Sequence, residues 1–252
     1  MQPIAIADGI ELDAPTLART RALIQASSGG GKSELMRLIA EPTADQIPTV
    51  IFDPEGEYFT LRDRIDMALI GERGEIQCTP ATAGKVGRSV LENGVSAIID
   101  LSSIEAHEWD QYLADFIAPF MRAKIKDCRP FLFFIDEAHK FCEQSARKSP
   151  GALALIDLMS RGRKREFGCV LASQRISKLH KDTGAEAANV FVGRATLDLD
   201  VRRSADNLGI RRTEADVLRG FEPGEWFAYG PALNFDGVKR FRSSRPETRA
   251  PK

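Results

Sequence analysis

The run Ala26-Ser27-Ser28-Gly29-Gly30-Gly31-Lys32-Ser33 follows directly on the apolar segment Ala22-Leu23-Ile24. A strand feeding a glycine-rich loop that ends in Gly-Lys-Ser, with an amphipathic helix beyond it, leaves few folds open, because such a loop holds the phosphates of a nucleotide. Backbone N–H groups freed by successive glycines form a nest for anionic oxygens. In that geometry Ser28, Gly29, Gly30, Gly31, Lys32, Ser33 and Glu34 surround the phosphates. Lys32 reaches the β- and γ-phosphates and the Ser33 hydroxyl ligates Mg²⁺. Ala26 stands where the usual pattern begins with glycine, and the three glycines 29–31 are expected to supply the missing backbone freedom.

A chain of 252 residues has room for one large α/β domain, with at most a small appendage. Its 43% hydrophobic and 28% charged residues are those of an ordinary globular protein. No apolar run approaches the ~18–20 residues needed to cross a bilayer, and Met1-Gln2-Pro3-Ile4 lacks the basic start of a signal peptide. The expected setting is cytoplasmic, with no membrane partner. Cys78, Cys128, Cys142 and Cys169 form no C-x-x-C pair, and only three histidines accompany them, so buried thiols are expected rather than a zinc cluster. A formal charge of −1 excludes a uniformly basic nucleic-acid binder. Charge is uneven, however: Lys239, Arg240, Arg242, Arg245, Arg249 and Lys252 face Glu247 alone. Residues 1–243 therefore read as a single domain and 244–252 as a flexible basic tail, more a solvated end than a binding site.

Strand and helix signals alternate, which predicts a mostly parallel sheet flanked by helices. Strands are expected at 22–26, 48–53, 96–101, 130–135, 169–173 and 189–194, and Gly224–Tyr229 and Gly237–Arg242 read as a C-terminal β-hairpin. The helix after the glycine loop should stop at Pro42. A capping box, Ser102-x-x-Glu105, should open the helix carrying Trp109, Tyr112, Leu113, Phe116, Ile117, Phe120 and Met121 at core spacing, with a kink at Pro119. Ser149-Pro150 starts another helix, running into the basic stretch Arg161–Arg165, and Thr213-x-x-Asp216 caps a short one ending at Gly220.

Phe131-Leu-Phe-Phe-Ile-Asp136-Glu137 supplies the second half of a hydrolytic site. Buried parallel strands read as continuous apolar runs, and open α/β sheets bind ligands at the C-terminal ends of their strands. Asp136 is placed to hold Mg²⁺ and Glu137 to orient and deprotonate the attacking water. An acidic residue directly after the metal aspartate points to water as acceptor. In that branch the strand Cys169–Ser173 lies between the glycine-loop strand and the Asp136 strand, and Gln174 at its tip senses the γ-phosphate. Arg161–Arg165, just before that strand, could neutralise charge on a transferring phosphoryl in trans or simply suit a helix end.

Together these residues resemble the HerA/FtsK group of P-loop ATPases, most closely the ATPase core of HerA-type DNA translocases. The resemblance rests on Ser28-Gly-Gly-Gly-Lys-Ser33, Phe52-Asp53-Pro54-Glu55-Gly56-Glu57-Tyr58, Asp136-Glu137-Ala-His139, Gly162-Arg163-Lys164 leading to Ser173-Gln174-Arg175, and Glu222-Pro223-Gly224-Glu225. It implies a RecA-like P-loop NTPase fold, ATP and Mg²⁺ as ligands, and a homo-oligomeric, hexameric ring that hydrolyses ATP at subunit interfaces and moves DNA. By position Arg163 matches the family's arginine finger, and Arg19 or Arg21 a further site arginine. The N-terminal β-barrel with which HerA proteins dock a nuclease is expected to be missing, since barely twenty residues precede the strand entering the loop. The reading is then a minimal motor of phage, plasmid or defence type, with a nuclease or other effector as an open partner.

Arg147, Lys148, Lys178 and Lys181 are candidate cations for tracking DNA phosphates. The competing reading is an ATP-dependent switch or assembly subunit without motor activity of its own. Asp-Glu-Ala-His also suggests a DEAH-box helicase, but 252 residues cannot hold the two tandem domains those enzymes need. A kinase would require an acceptor pocket and lid, for which Arg202-Arg203 and Arg211-Arg212 are the only hint.

Overall fold

In the computed structural model, residues 2–144 and 149–251 are described. The strands are β1 (Ile4–Ala7), β2 (Ile10–Leu12), β3 (Ala22–Gln25), β4 (Thr49–Asp53), β5 (Ala68–Ile70), β6 (Ala97–Asp100), β7 (Phe131–Ile135), β8 (Phe167–Ser173), β9 (Asn189–Val192), β10 (Glu225–Tyr229) and β11 (Lys239–Arg242). The helices are α1 (Ala14–Thr20), α2 (Lys32–Ala44), α3 (Ala83–Asn93), α4 (Trp109–Arg122), α5 (Pro150–Arg161), α6 (Lys181–Ala185), α7 (Asp198–Leu208) and α8 (Arg212–Ala215). Nine strands form one sheet in the order β11-β10-β9-β3-β8-β7-β4-β6-β5. The seven strands from β9 to β5 run parallel, and β10 pairs antiparallel with both β9 and β11.

Strand β8 lies between β3 and β7, with Ile24 opposite Ala172 and Phe133 opposite Cys169. This is the arrangement expected of a hydrolytic P-loop site. Because side chains alternate across a strand, each strand feeds two cores. Ile24, Ile51, Leu132, Phe134 and Ala172 pack with α1, α2 and the β1–β2 hairpin. Leu23, Val50, Phe133, Ile135 and Leu171 pack with α3, α4 and α5. Covering both faces explains why the strands read as unbroken apolar runs. The α4 aromatic stripe is core: the Phe120 ring meets Phe131, Phe133 and Phe167 edge-on at centroid distances of 5.1, 5.0 and 5.6 Å.

Several local expectations fail for identifiable reasons. Helix α2 contains Pro42 and runs on to Ala44, since a proline in the last turn forfeits only one hydrogen bond. Ser102 caps nothing: its Oγ lies 2.5 Å from Asp100 Oδ1, and α4 begins only after Glu108. Helix α8 is capped two residues earlier than expected, at Arg211, whose N–H donates to Glu214 at 2.8 Å. Ser149 does cap α5, accepting from the Ala152 N–H. The β1–β2 hairpin and β5 lie in segments too short to show a period. Thus β1 begins at Ile4, well ahead of the strand expected to come first.

Residues 244–251, expected to be a flexible tail, are anchored on the domain. Ser244 N–H donates to Ile6 O at 2.8 Å, and Thr60 Oγ1 donates to Arg249 O at 2.6 Å. The buried Glu41 carboxylate accepts from the Glu247 and Thr248 N–H groups, each at 2.9 Å, and from Thr248 Oγ1 at 2.6 Å. A charge count over the segment overlooks this, because the anchors are backbone N–H groups and one threonine. Among the described residues no helix is long and apolar enough to cross a membrane.

Candidate nucleotide and catalytic site

The glycine loop joins β3 to α2 at the C-terminal edge of the sheet. Gly31 adopts φ 95 as the N-cap of α2, and Gly29 adopts φ 69, conformations that a Cβ would strain. The loop is pinned on both sides. Ser27 N–H donates to Arg194 O at 2.7 Å, and Gly224 N–H donates to Gly30 O at 3.2 Å. The Ala26 methyl is fully buried, and a Cβ at Gly30 or Gly193 would come within 2.9 or 3.0 Å of it. Alanine replaces the usual first glycine because two glycines vacate the space its methyl needs.

A cavity of about 470 Å³ opens in front of the loop, lined by Ser28, Gly29, Gly31, Lys32, Ser33, Glu34, Asp136, Glu137 and Gln174, with Glu55, Glu57 and Pro223 at its sides. The residues singled out on two distant motifs and a strand tip thus converge on one space. Lys32 is buried and bonds to Asp136 Oδ1, and its Nζ lies 3.1 Å from Glu137 Oε1. Burial pulls the Lys32 ammonium down, but the two carboxylates outweigh it and its pKa stands above the ordinary value. Burial raises the Glu137 carboxyl; Lys32 opposes that rise, and the neighbouring Asp136 adds to it. Glu137 itself sits at φ 47, an uncommon conformation for a non-glycine residue that turns the chain sharply out of β7.

His139 holds the far side of Glu137. Its Nδ1 lies 3.2 Å from Glu137 Oε2 and 3.0 Å from Ser173 Oγ. Burial, aided by Lys140 and Lys178, pushes its pKa down to about 4, so the ring is neutral around pH 7. Asp53, at the end of β4, accepts the N–H groups of Glu57 at 3.1 Å and Tyr58 at 2.8 Å. Burial raises its pKa to about 7, against those two donors and with help from Asp100 and Asp136.

The donor set fits a Mg²⁺ ion. Ser33 and Asp136 both line the cavity, and the buried Tyr58 Oη lies 3.0 Å from Asp136 Oδ2, so two hard oxygen groups face one space with one of them held from behind by a phenol. Mg²⁺ takes one or two such oxygens together with waters and phosphates.

Residues 7–108 match the model of the helicase HerA central domain. The resemblance to the HerA/FtsK group of P-loop ATPases is shown. The matched segment includes the glycine loop and Asp53–Tyr58 and ends before Asp136. Among solved structures, the chain is similar to the genome packaging NTPase B204 of Sulfolobus turreted icosahedral virus 2 in complex with AMPPCP. That match has 14% identity over 89% of this chain and 98% of that one, with a TM-score of 0.63. VirB4 of Thermoanaerobacter pseudethanolicus is similar at 13% identity over 89% and 88% of the chains, with a TM-score of 0.62. The cytoplasmic domain of the type VII secretion ATPase EccC of Thermomonospora curvata shows 18% identity over 96% of this chain and 28% of that one, at 0.58. These likenesses establish the P-loop NTPase fold. No curated protein matches the sequence.

Other candidates lie elsewhere. Arg163 is exposed in the turn before β8, and Arg19 and Arg21 precede β3. All three therefore sit at the N-terminal ends of parallel strands, the edge opposite the glycine loop. With seven residues in β8 and ~3.3 Å per residue, that is about 20 Å away, beyond reach of the same molecule's cavity. Arg21 is moreover bound to Glu186 at 2.7 Å. Lys178 and Lys181 are exposed beyond β8 on the nucleotide edge, whereas Arg147 and Lys148 lie outside the described residues.

Two site residues escaped the sequence reading. Tyr58 falls within a quoted motif, but nothing in a sequence shows its hydroxyl reaching Asp136. Arg194 follows β9 and donates from Nη2 to Ser28 O at 2.9 Å and from Nε to Ser27 Oγ at 3.3 Å, bracing the loop. A lone arginine after an apolar strand carries no signal of that role.

Proposed function

We propose that the chain is a Mg²⁺-dependent ATPase that assembles as a ring, a hexamer by family resemblance, and translocates on or remodels DNA. The observation carrying the hydrolytic part is the convergence of Lys32, Asp136, Glu137 and Gln174 on the cavity before the glycine loop. Solved relatives of the same fold, B204 structures with AMPPCP and ATP-gammaS, support a nucleotide triphosphate as ligand.

ATP phosphates enter the nest at the α2 N-terminus, where free N–H groups and the helix dipole favour anions. Their charge draws Lys32 away from Asp136 and Glu137. Glu137, released from the ammonium, accepts a proton from a water aimed at the γ-phosphorus. Water oxygen bonds to phosphorus as the bond to the ADP oxygen breaks, and Gln174 orients the water and senses the γ-phosphate. Ser33 and Asp136 would hold Mg²⁺, which would supply positive charge against the phosphates.

Arg163, with Arg19 beside it, serves a neighbouring subunit. Head-to-tail packing in a ring brings the N-terminal edge of one sheet against the nucleotide edge of the next. Lys178 and Lys181, exposed on that edge, are offered to DNA. A nuclease or another effector would use the motor as a partner.

The test is ATP hydrolysis with and without duplex DNA, at low and raised salt, together with particle size with and without ATP. DNA is expected to raise the rate several-fold, an effect that salt removes by competing for phosphates, and ATP is expected to enlarge the particle. A rate indifferent to DNA at all salt concentrations would leave only the switch reading.

A further inference from the structure

One face of α2 links the C-terminal segment to the floor of the nucleotide cavity. Ser33, Arg37 and Glu41 recur at i, i+4 and i+8 and therefore form one stripe along the helix. At the far end, Glu41 takes three hydrogen bonds from Glu247 and Thr248. In the middle, the fully buried Arg37 donates from Nη1 to Thr248 Oγ1 at 3.0 Å and from Nη2 to Glu57 O. Its guanidinium lies over the Tyr58 ring, 5.1 Å from the centroid. Tyr58, itself fully buried, ends the chain of contacts with its hydroxyl on Asp136 Oδ2.

We propose that Tyr58 is a positioning residue that fixes the Asp136 carboxylate, and that Thr248 holds it in place through Arg37. The division of contacts on Asp136 supports this. Oδ1 is occupied by Lys32 and the Glu137 N–H, whereas Oδ2 has Tyr58 as its partner. When a nucleotide draws Lys32 away, the phenol is the side-chain contact left to fix the carboxylate. A phenol donates one hydrogen bond, and here the carboxylate oxygen facing it accepts that bond. Phenylalanine would keep the ring under Arg37 but lose the bond to Asp136. Groups that orient a metal ligand typically carry ~10–100-fold of the activity.

The inference rests on the reading of Asp136 and Ser33 as the Mg²⁺ pair, and the test separates the two. Tyr58→Phe, Thr248→Val and the double variant are compared with the parent and with Glu137→Gln. The measurements are kcat, KM for ATP, the Mg²⁺ concentration for half-maximal rate, and Mg²⁺-dependent tightening of a fluorescent ATP analogue. Tyr58→Phe is expected to lower kcat about tenfold and to raise the Mg²⁺ requirement several-fold, with KM at saturating Mg²⁺ within about twofold. Thr248→Val should show a smaller loss of the same kind that disappears in the Tyr58→Phe background, as for two links in one chain. Parent-like Mg²⁺ dependence in Tyr58→Phe, or losses that simply add in the double variant, would overturn the inference. If Glu137→Gln hydrolyses as fast as the parent, the reading of the site fails. The Mg²⁺-dependent tightening, which needs no hydrolysis, then decides on Tyr58 alone: a weakened response supports the inference and a parent-like one overturns it.

Discussion

Lys32 Nζ lies 3.1 Å from Glu137 Oε1 and bonds to Asp136 Oδ1, so the loop cation is held by the two carboxylates at the end of β7. Two buried carboxylates at one site need a cation, and in ATP the phosphates compete for that same cation. Lys32→Ala is therefore expected to do two things. It should weaken nucleotide binding by more than tenfold. It should also lower the stability of the nucleotide-free protein by about 3 kcal/mol, because breaking a buried pair leaves a charge uncompensated. Titration with a fluorescent nucleotide and chemical denaturation measure the two effects separately. Unchanged stability would mean that the carboxylates do not depend on Lys32.

His139 gives a signed pH dependence. Its pKa falls from 6.5 to about 4 on folding, because burial disfavours the imidazolium. The unfolded chain therefore binds the proton first. Stability supplied by the neutral ring is complete above pH 6.5 and is lost as pH falls toward 4. Denaturation midpoints measured across that window should fall with acidification, and His139→Gln should flatten the slope. A slope unchanged in His139→Gln would assign the dependence to other groups.

The C-terminal segment should matter to stability. Glu41→Ala leaves the Thr248 hydroxyl and two N–H groups without their acceptor, and is expected to cost about 3 kcal/mol. Limited proteolysis should then cut within 244–251, where the parent resists. Equal melting temperatures and equal cleavage would restore the loose tail that charge counting suggests.

Ala26→Gly would bring the loop into line with the usual pattern, yet no gain in function is expected. The variant loses a buried methyl and gains backbone freedom in the unfolded chain, a cost of about 1 kcal/mol. Nucleotide affinity should stay within about twofold. A clear rise in affinity would show that Ala26 distorts the nest.

What the sequence made legible follows from the physics of each signal. The central strands were readable because burial on both faces forces continuous apolar runs, as in Phe131–Ile135. The order of β3, β8 and β7 followed from the chemistry that Glu137 and Gln174 imply. Caps failed where a competing group intervened: Asp100 captures Ser102, a contact that depends on where the end of β6 lies. The anchoring of Thr248 by Glu41 and Arg37 joins residues far apart in the chain, and no local pattern encodes it. Tyr58 and Arg194 were missed for the same reason, since their roles exist only once strands from different parts of the chain stand side by side.

The most direct measurement is a paired assay of ATP binding and Mg²⁺-dependent ATP hydrolysis in the parent and in Glu137→Gln. Removing the base while keeping the shape should leave ATP bound with similar affinity and cut hydrolysis by at least about 100-fold. Hydrolysis by Glu137→Gln at the parental rate would contradict the central claim that this carboxylate, facing the glycine loop beside Asp136, activates water.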